Sequence, residues 1–447
     1  MKGGDFMSIY LPDFVLEAIS LLNEANYEVY VVGGSIRNAL LDLPVFDYDL
    51  TTSATPEEMK QVFSSYKIIE TGIKHGTLTI LIDNQPLEIT TYRHELGYED
   101  HRHPSQVEFS RHLKDDLARR DFTINALAYH PEKGIVDYFD GLTDLNNHVI
   151  RAINDPYIRF DEDALRILRA LRFASTLNFT IEPLTKQALH DTKQLLSFVS
   201  KERIQTEFTK LIVGDGVFDV LNEFHDVLGI IMPEIIPIIN CPHENPHHIY
   251  SIYEHTLHVV EKVNPSITLR MAALLHDIGK PATKTYDTML IAHYKGHSEK
   301  SLEMASNILH RLRFSKNQIK DILVLIKYHD DYLRLDKIQL KKFLSILGIE
   351  LTYDLLNLQK ADNEAKALRY LKRDEFIVIE KMIDSIIANK ECYSLSNLAI
   401  NGNDLISMNI NPTKISSILN ECLDKVIEEK MSNSKKELID YITHNCI

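Results

Sequence analysis

Residues 30–52 read YVVGGSIRNALLDLPVFDYDLTT, and the punctuation of this stretch decides the fold. The apolar run ending at Val32 predicts a strand stopped by Gly33 and Gly34, and SIRNALLDL predicts a short helix beginning near Ser35. FDYDL then predicts a second strand. On such a strand Asp47 and Asp49 share one face while Tyr48 points to the other layer. Working outward, Phe14 to Leu22 has helical spacing, and TLTILI and LEITTYR alternate as half-buried strands do. Strands with a helix between them predict a compact α/β or α+β unit ending near residue 145.

Beyond Asp161 apolar residues recur mostly at helical spacing, which predicts an all-helical remainder. At 447 residues, 44% of them hydrophobic, the chain is long enough for more than one domain. No apolar run approaches the ~18 residues of a membrane span, and the first residues, MKGGDFMSIYLPDF, lack the apolar core of a secretory signal. A cytoplasmic protein without membrane association is expected. Four cysteines, Cys241, Cys392, Cys422 and Cys446, form no CxxC pair, which fits a reducing compartment and argues against structural zinc. A net charge of −15 argues against non-specific coating of nucleic acid, while leaving room for a local basic patch.

Several constellations point to chemistry. Two carboxylates on an open strand end suit magnesium, which prefers oxygen ligands and keeps positions for phosphates. Asp47 and Asp49 are therefore the candidate metal pair, and Glu88 in LEITTYR is a candidate third carboxylate. Gly33 and Gly34 let the backbone approach an anion, with Arg37 one turn into the following helix. DDLARRDFTINALAYH supplies Arg119, Arg120, Asp121 and Asn125, the arginines standing before an apolar stretch read as helical, with Asp121 able to orient one of them.

In RFDEDALRILRALRFA, Asp163 and Arg166 are three residues apart and would be neighbours on one helix face. They read either as a surface ion pair or as a base-reading pair. Cytosine and adenine each present an exocyclic amine beside an unprotonated ring nitrogen, so a carboxylate and a guanidinium would accept those bases and reject uracil and guanine. Arg169 and Arg172 continue the series and would hold phosphates or brace the helix. Further on, His255, His276, Asp277, His297 and Asp330 form a spaced histidine and aspartate set suited to a second divalent metal.

The ordered segments VVGGSIRNALL, DYDLTTSATPEE, LEITTYR, ARRDFTINALA, VDYFDGLTDL and RFDEDALRILRALRF resemble the bacterial-type (class II) tRNA nucleotidyltransferase and poly(A) polymerase family, the CCA-adding branch in particular, over roughly residues 28–215. The later histidine set resembles the HD domain of many bacterial members, and LAINGNDLISMNI resembles their C-terminal region. The resemblance implies an α+β fold: a polymerase-β-like nucleotidyltransferase head with a short mixed sheet, then a helical neck, body and tail. The expected segments are 1–145 for the head, 146–215 for a base-reading neck, 216–345 for an HD-type body and 346–447 for a tRNA-binding tail.

It also implies untemplated addition of CCA to the tRNA 3′ end from CTP and ATP, with the acceptor arm of tRNA as partner. Gly33, Gly34, Arg37, Arg120, Asp163, Arg166, Arg169 and Arg172 would contact the nucleotide, and Asp47 and Asp49 would hold magnesium. The polar segment HELGYEDHRHPSQ would be a flexible loop that helps switch from C to A addition. Poly(A) synthesis, partial CC or A addition, and an HD-type phosphohydrolase are the alternatives. Two positions depart from the family motif: Asn38 stands where an aspartate is usual and Asp42 where a glycine is usual. The C-terminal stretch also lacks expected glycines, with Asn409 among the replacements.

Overall fold

The computed structural model describes residues 9–98, 101 and 104–445. The chain forms two compact units, Met1–Pro233 and Glu234–Ile447. That division falls inside the segment 216–345 expected as one body.

In the first unit, a helix over Asp13–Glu24 buries Val15, Ala18, Ile19 and Leu22 at helical spacing. It leads into β1 (Val29–Val32), buried along its whole length. The remaining strands are β2 (Asp49–Thr52), β3 (Lys67–Ile69), β4 (Thr77–Ile82), β5 (Gln85–Thr91), β6 (Arg93–Tyr98), β7 (Pro104–Phe109), β8 (Leu127–His130) and β9 (Gly134–Asp137). Seven of them make one mixed sheet in the order β3-β4-β5-β2-β1-β8-β9. Alternation does its work in β4, where Leu78, Ile80 and Ile82 are fully buried and the alternating Thr77, Thr79 and Leu81 are not.

Strand direction positions the site. β2 runs antiparallel to β1 and parallel to β5, so Val32 pairs with Asp49 and Asp49 with Glu88. The end of β1, where the two glycines follow, and the start of β2 therefore lie at one end of the sheet.

The structure corrects three expectations for this unit. FDYDL is not one strand: β2 begins at Asp49, and Asp47 lies in the coil before it. The apolar stretch after Arg120 is not a helix but a 3-10 turn over Thr123–Asn125 followed by β8, because Leu127, Ala128 and Tyr129 are needed against β1 and β9. The segment read as a flexible loop is largely an antiparallel hairpin of β6 and β7, paired from Arg93↔Phe109 to Tyr98↔Pro104. The tip of that segment, residues 99–100 and 102–103, lies outside the described residues.

After the sheet, helices over Pro156–Glu162 and Leu165–Leu177 follow, and the latter packs against Lys201–Ile212. The second unit is helical apart from one two-stranded ladder, Thr285–Tyr286 with Ala292–His293. A second small ladder, Val149–Ile150 with Thr180–Ile181, lies in the first unit, so the remainder is mostly rather than wholly helical. Among the described residues no helix is long and apolar enough to cross a membrane.

Candidate functional site

The first unit holds a cavity of about 380 Å³ lined by Gly33, Gly34, Arg37, Asp49, Arg119, Arg120, Asp121, Asn125, Asp163, Arg166, Arg169, Arg172 and Phe173. Six arginines against three aspartates make it cationic, on a chain whose net charge is −15. Such a local excess in a concave, partly desolvated space concentrates anions.

The glycine turn sets its floor. Gly33 has φ +80, a conformation that favours glycine, and a Cβ there would lie 3.0 Å from the Arg120 guanidinium, which would have to give way slightly. Arg37, on the two-turn helix over Gly34–Leu40, is buried and donates to Asn125 Oδ1 at 2.6 Å and to Asn38 Oδ1 at 2.8 Å. Asn38 thus supplies the acceptor oxygen that an aspartate would, without its charge. Burial first, and Arg172 next, bring the Arg37 guanidinium down to about 10, still cationic at neutral pH. Asp42 has φ +55, a left-handed conformation that explains the usual glycine and that aspartate tolerates better than most residues.

The other arginines are braced by carboxylates. Arg119 and Arg120 both pair with Asp116, fully buried, at 2.7 and 3.3 Å. Asp121 does not orient either of them. Instead it accepts from Arg169 Nε at 2.7 Å and Asn125 Nδ2 at 2.9 Å. Burial opposes ionisation of Asp121, yet Arg169 beside it holds its carboxyl well below the usual range. Arg172 pairs with Glu207 at 3.2 Å and lies 4.0 Å over the Phe173 ring, which Arg37 also faces at 4.7 Å. The buried Nε of Arg120 has no protein partner.

Asp163 and Arg166 line the same cavity but do not sit on one helix face. The helix expected through both breaks at Asp163, whose backbone is extended (φ −138, ψ 100) and whose Oδ1 accepts from Leu165 N at 3.1 Å. Aspartate favours such a position just outside a helix start. Its carboxylate pairs with Arg203 at 3.1 Å, while Arg166 donates to Glu162 at 2.8 Å and to the carbonyls of Arg119 and Arg159 at 2.7 and 3.2 Å. The surface ion-pair reading of the two therefore fails.

Asp49 also lines the cavity, and both it and Asp47, in the preceding coil, keep exposed surface. Desolvation by the surrounding protein raises the Asp49 carboxyl, Arg120 opposes, and Glu88 and Asp47 raise it further. Glu88 and Asp47 thus lie near enough to Asp49 to repel its carboxylate, and carboxylate oxygens are the donor type that a hard divalent cation takes.

In the second unit, His255, His276 and Asp277 come together, and Asp277 also meets His297 and His329; ligand atoms within each trio lie within 4.8 Å of one another. Asp330 is exposed and outside both trios; its neighbour His329 takes the inward position. Asp362 was not foreseen, and its Oδ1 lies 3.1 Å from His255 Nε2. Asp277 and Asp362 are disfavoured as anions by burial, but are held well below the usual range by His276 with Lys280 and by Lys366 with His255, respectively.

Residues missed from sequence are the bracing ones: Asp116, Glu162, Arg203, Glu207 and Asp362. Asp116 had a signal, standing three and four residues before the two arginines it holds.

Residues 29–151 match the family described as Poly A polymerase head domain, 178–236 the "Probable RNA and SrmB- binding site of polymerase A", and 288–442 a tRNA nucleotidyltransferase domain 2. The CCA-adding enzyme of Lactobacillus johnsonii is 52% identical over 209 residues, 46% of this chain and 52% of that protein. That of Enterococcus faecalis is 49% identical over 207 residues, 46% of this chain and 50% of that one. The chain thus matches about half the length of these curated relatives. Among solved structures, the Bacillus stearothermophilus CCA-adding enzyme in complex with CTP superposes with TM-score 0.71 and 25% identity, covering 97% of this chain and 98% of that one. The Thermotoga maritima CCA-adding enzyme complexed with tRNA, at 20% identity and TM-score 0.62 over 98% of this chain and 97% of that one, shares the fold.

Proposed function

We infer, given that the chain belongs to the tRNA nucleotidyltransferase and poly(A) polymerase family, that it adds C, C and A to the 3′ end of tRNA from CTP and ATP. The observation that carries this reading is the arginine-lined cavity with Asp49 at one side and Asp163 and Arg166 at another. A triphosphate suits the excess of guanidinium groups, which form charge-assisted bonds to phosphate. Arg37, Arg120, Arg169 and Arg172 would hold it, with the turn at Gly33 and Gly34 leaving room beside them. The carboxylate of Asp163 accepts from the exocyclic amine of cytosine or adenine while Arg166 donates to the adjacent ring nitrogen; uracil and guanine present the reverse pattern.

Magnesium held by Asp47 and Asp49, with Glu88 adjoining, would activate the RNA 3′-hydroxyl and neutralise charge on the departing pyrophosphate. Arg203 and Glu162 pair with the two base-reading groups and hold them in place beside the cavity. We read 1–145 as head, 146–215 as neck, 216–345 as body and 346–447 as a tail for the tRNA acceptor arm, in a protein working in the cytoplasm.

Extension of tRNA transcripts ending before CCA, after C and after CC, each with one labelled nucleotide and magnesium, tests the reading. Two C and then one A, with UTP and GTP refused, is expected. Long A tails would show a poly(A) polymerase, C alone or A alone a partial enzyme, and no incorporation would overturn the proposal.

A second reading is favoured by one observation in the other unit. His276 Nε2 and Asp277 Oδ2 are buried and lie 3.2 Å apart without a well-aligned hydrogen bond, the oxygen also 2.6 Å from the Lys280 ammonium, and such close buried donor atoms suit metal ligation. We therefore read the histidine cluster as an HD-type metal centre, with phosphohydrolase activity alongside nucleotidyl transfer.

A further inference from the structure

We propose that Phe173 is a positioning residue for the nucleotide: the face of its ring gathers Arg37, Arg169 and Arg172 into one phosphate-binding wall without cancelling their charge. This rests on reading the cavity as a triphosphate site, and adds to it a residue that acts through the arginines.

Three guanidinium groups stand over the ring, their central carbons at 4.0 Å from its centroid for Arg172, 4.7 Å for Arg37 and 5.5 Å for Arg169. The helix over Leu165–Leu177 carries two of them beside Phe173, Arg169 about one turn before it and Arg172 next to it. Arg37 comes from the helix over Gly34–Leu40, so the ring joins parts of the unit that lie far apart in sequence. Phe173 is itself buried, lines the cavity and meets the fully buried ring of Phe122 edge to face, with centroids 5.9 Å apart at 83°. That contact fixes the plane of the ring.

Like charges this close repel. Burial is the largest influence lowering the Arg37 and Arg172 guanidinium groups, and repulsion lowers them further, from Arg172 and Arg169 in the first case and from Arg169 in the second. Two carboxylates oppose this. Asp121 pairs with Arg169 at 2.5 Å, and Glu207 with Arg172 at 3.2 Å and with Arg169 at 4.0 Å. Arg37 instead donates to the neutral amide oxygens of Asn125 and Asn38. A third carboxylate would hold Arg37 but would leave the wall neutral and repel a triphosphate. An aromatic face attracts cations through its quadrupole and carries no net charge. Three guanidinium groups against two carboxylates thus keep a positive excess where the phosphates are to be held.

The test weakens the ring face without emptying its place. In the full chain, Phe173 is replaced in turn by mono-, di- and trifluorinated phenylalanine, whose fluorines draw electron density from the face with little change in size. Equilibrium dialysis without tRNA gives the Kd for CTP, extension of tRNA gives KM and kcat, and thermal melts report folding. The Kd should rise with each fluorine to about tenfold for the trifluorinated ring, with the KM for CTP following and the KM for tRNA unchanged. Phe173→Leu, which is apolar but has no aromatic face, should weaken CTP at least as far.

A Kd that stays flat across the fluorinated series, in a chain that extends tRNA normally, would overturn the proposal and leave nucleotidyl transfer standing, with Phe173 a packing residue only. Stepwise weakening of CTP in a chain that adds nothing to tRNA would uphold the role of the ring and overturn the transfer reading alone. A parent chain that binds no CTP would overturn both.

Discussion

The two clusters solve opposite problems with the same kind of device. In the first unit most of the charged groups facing the cavity are cations, and carboxylates stand behind several of them: Asp116 behind Arg119 and Arg120, Glu162 behind Arg166, Glu207 behind Arg172. In the second the groups facing inward are imidazoles with the carboxylates of Asp277 and Asp362, and those behind the imidazoles are main-chain carbonyls. A guanidinium that must stay charged when buried needs an anion at its back, whereas an imidazole that must offer a lone pair needs only an acceptor for its other proton. The back row therefore shows what the front row is for. Counter-charges behind suit an anion in front; carbonyls behind suit an imidazole that turns its other nitrogen inward.

The sharpest way to separate the regions is Asp49→Ala. Losing several kcal/mol of transition-state stabilisation should cut nucleotide incorporation about a thousandfold, while the metal content of the second unit stays as it was. Incorporation within a few fold of the parent, measured at saturating CTP, would remove Asp49 from the site.

Asp121→Asn tests the back row directly. Breaking a buried ion pair costs about 3–5 kcal/mol, so urea melts should show a loss of that size. The pH dependence carries the sign: the depressed Asp121 carboxyl contributes stability that is fully present above its unfolded pKa of about 3.9 and lost as pH falls towards its lower folded value. The variant should lack that acid-sensitive part, and parallel pH–stability curves for the two proteins would show that the pair carries no weight.

For base choice, Asp163→Ala should lower the preference for CTP over UTP by about 5- to 150-fold, equivalent to 1–3 kcal/mol of discrimination. Unchanged preference with a uniformly slower rate would make Asp163 a structural residue. Asp49 offers a gentler test through acid. Its carboxyl is raised by burial and by Glu88 and Asp47, so incorporation should begin to fall on acidification at a pH above that of an ordinary aspartate. An acid limb at the ordinary position would count against that environment.

The smallest effect is expected from Asn38→Asp. Bonds to charged groups contribute about 1.5–3 kcal/mol against about 0.5–1.5 for neutral ones, so a gain near 1 kcal/mol in the thermal melt is expected, with incorporation little changed. A loss of stability would mean that the amide Nδ2 bond to the Pro44 carbonyl, at 3.2 Å, matters more than the charge.

Much of the first unit was legible because its signals are local. TLTILI became β4 residue for residue, and the strand before Gly33 ends where the glycines say it should. What was hidden depended on partners far along the chain. The helix-friendly residues after Thr123 became β8 because two neighbouring strands needed a third between them. Asp163 looked like a helix residue because local spacing does not record a break whose partner, Arg203, comes forty residues later. In the second unit the local pattern points one residue away from Asp330. Ile322, Ile326 and His329 share a buried stripe at spacings of four and three, and Asp330 is one step, ~100° around the helix, away from it. Leu355, Leu358, Gln359 and Asp362 form the same kind of stripe, which marks Asp362 as inward.

The break at residue 163 gives the proposed grip on a base two unequal jaws. Arg166 is wedged by three acceptors in the first turn of its helix and cannot shift without breaking them. Asp163 sits on an extended peptide between two helices, tied through its side chain to a partly exposed arginine and one main-chain N–H. Turning that peptide slides the carboxylate at the expense of only two main-chain bonds at the helix ends, Asp163 N–H to the Arg159 carbonyl at 3.4 Å and Arg166 N–H to the Asp163 carbonyl at 2.9 Å. One jaw is a fixed stop and the other travels, so a pocket that must admit a one-ring and a two-ring base in turn draws its tolerance from a single residue.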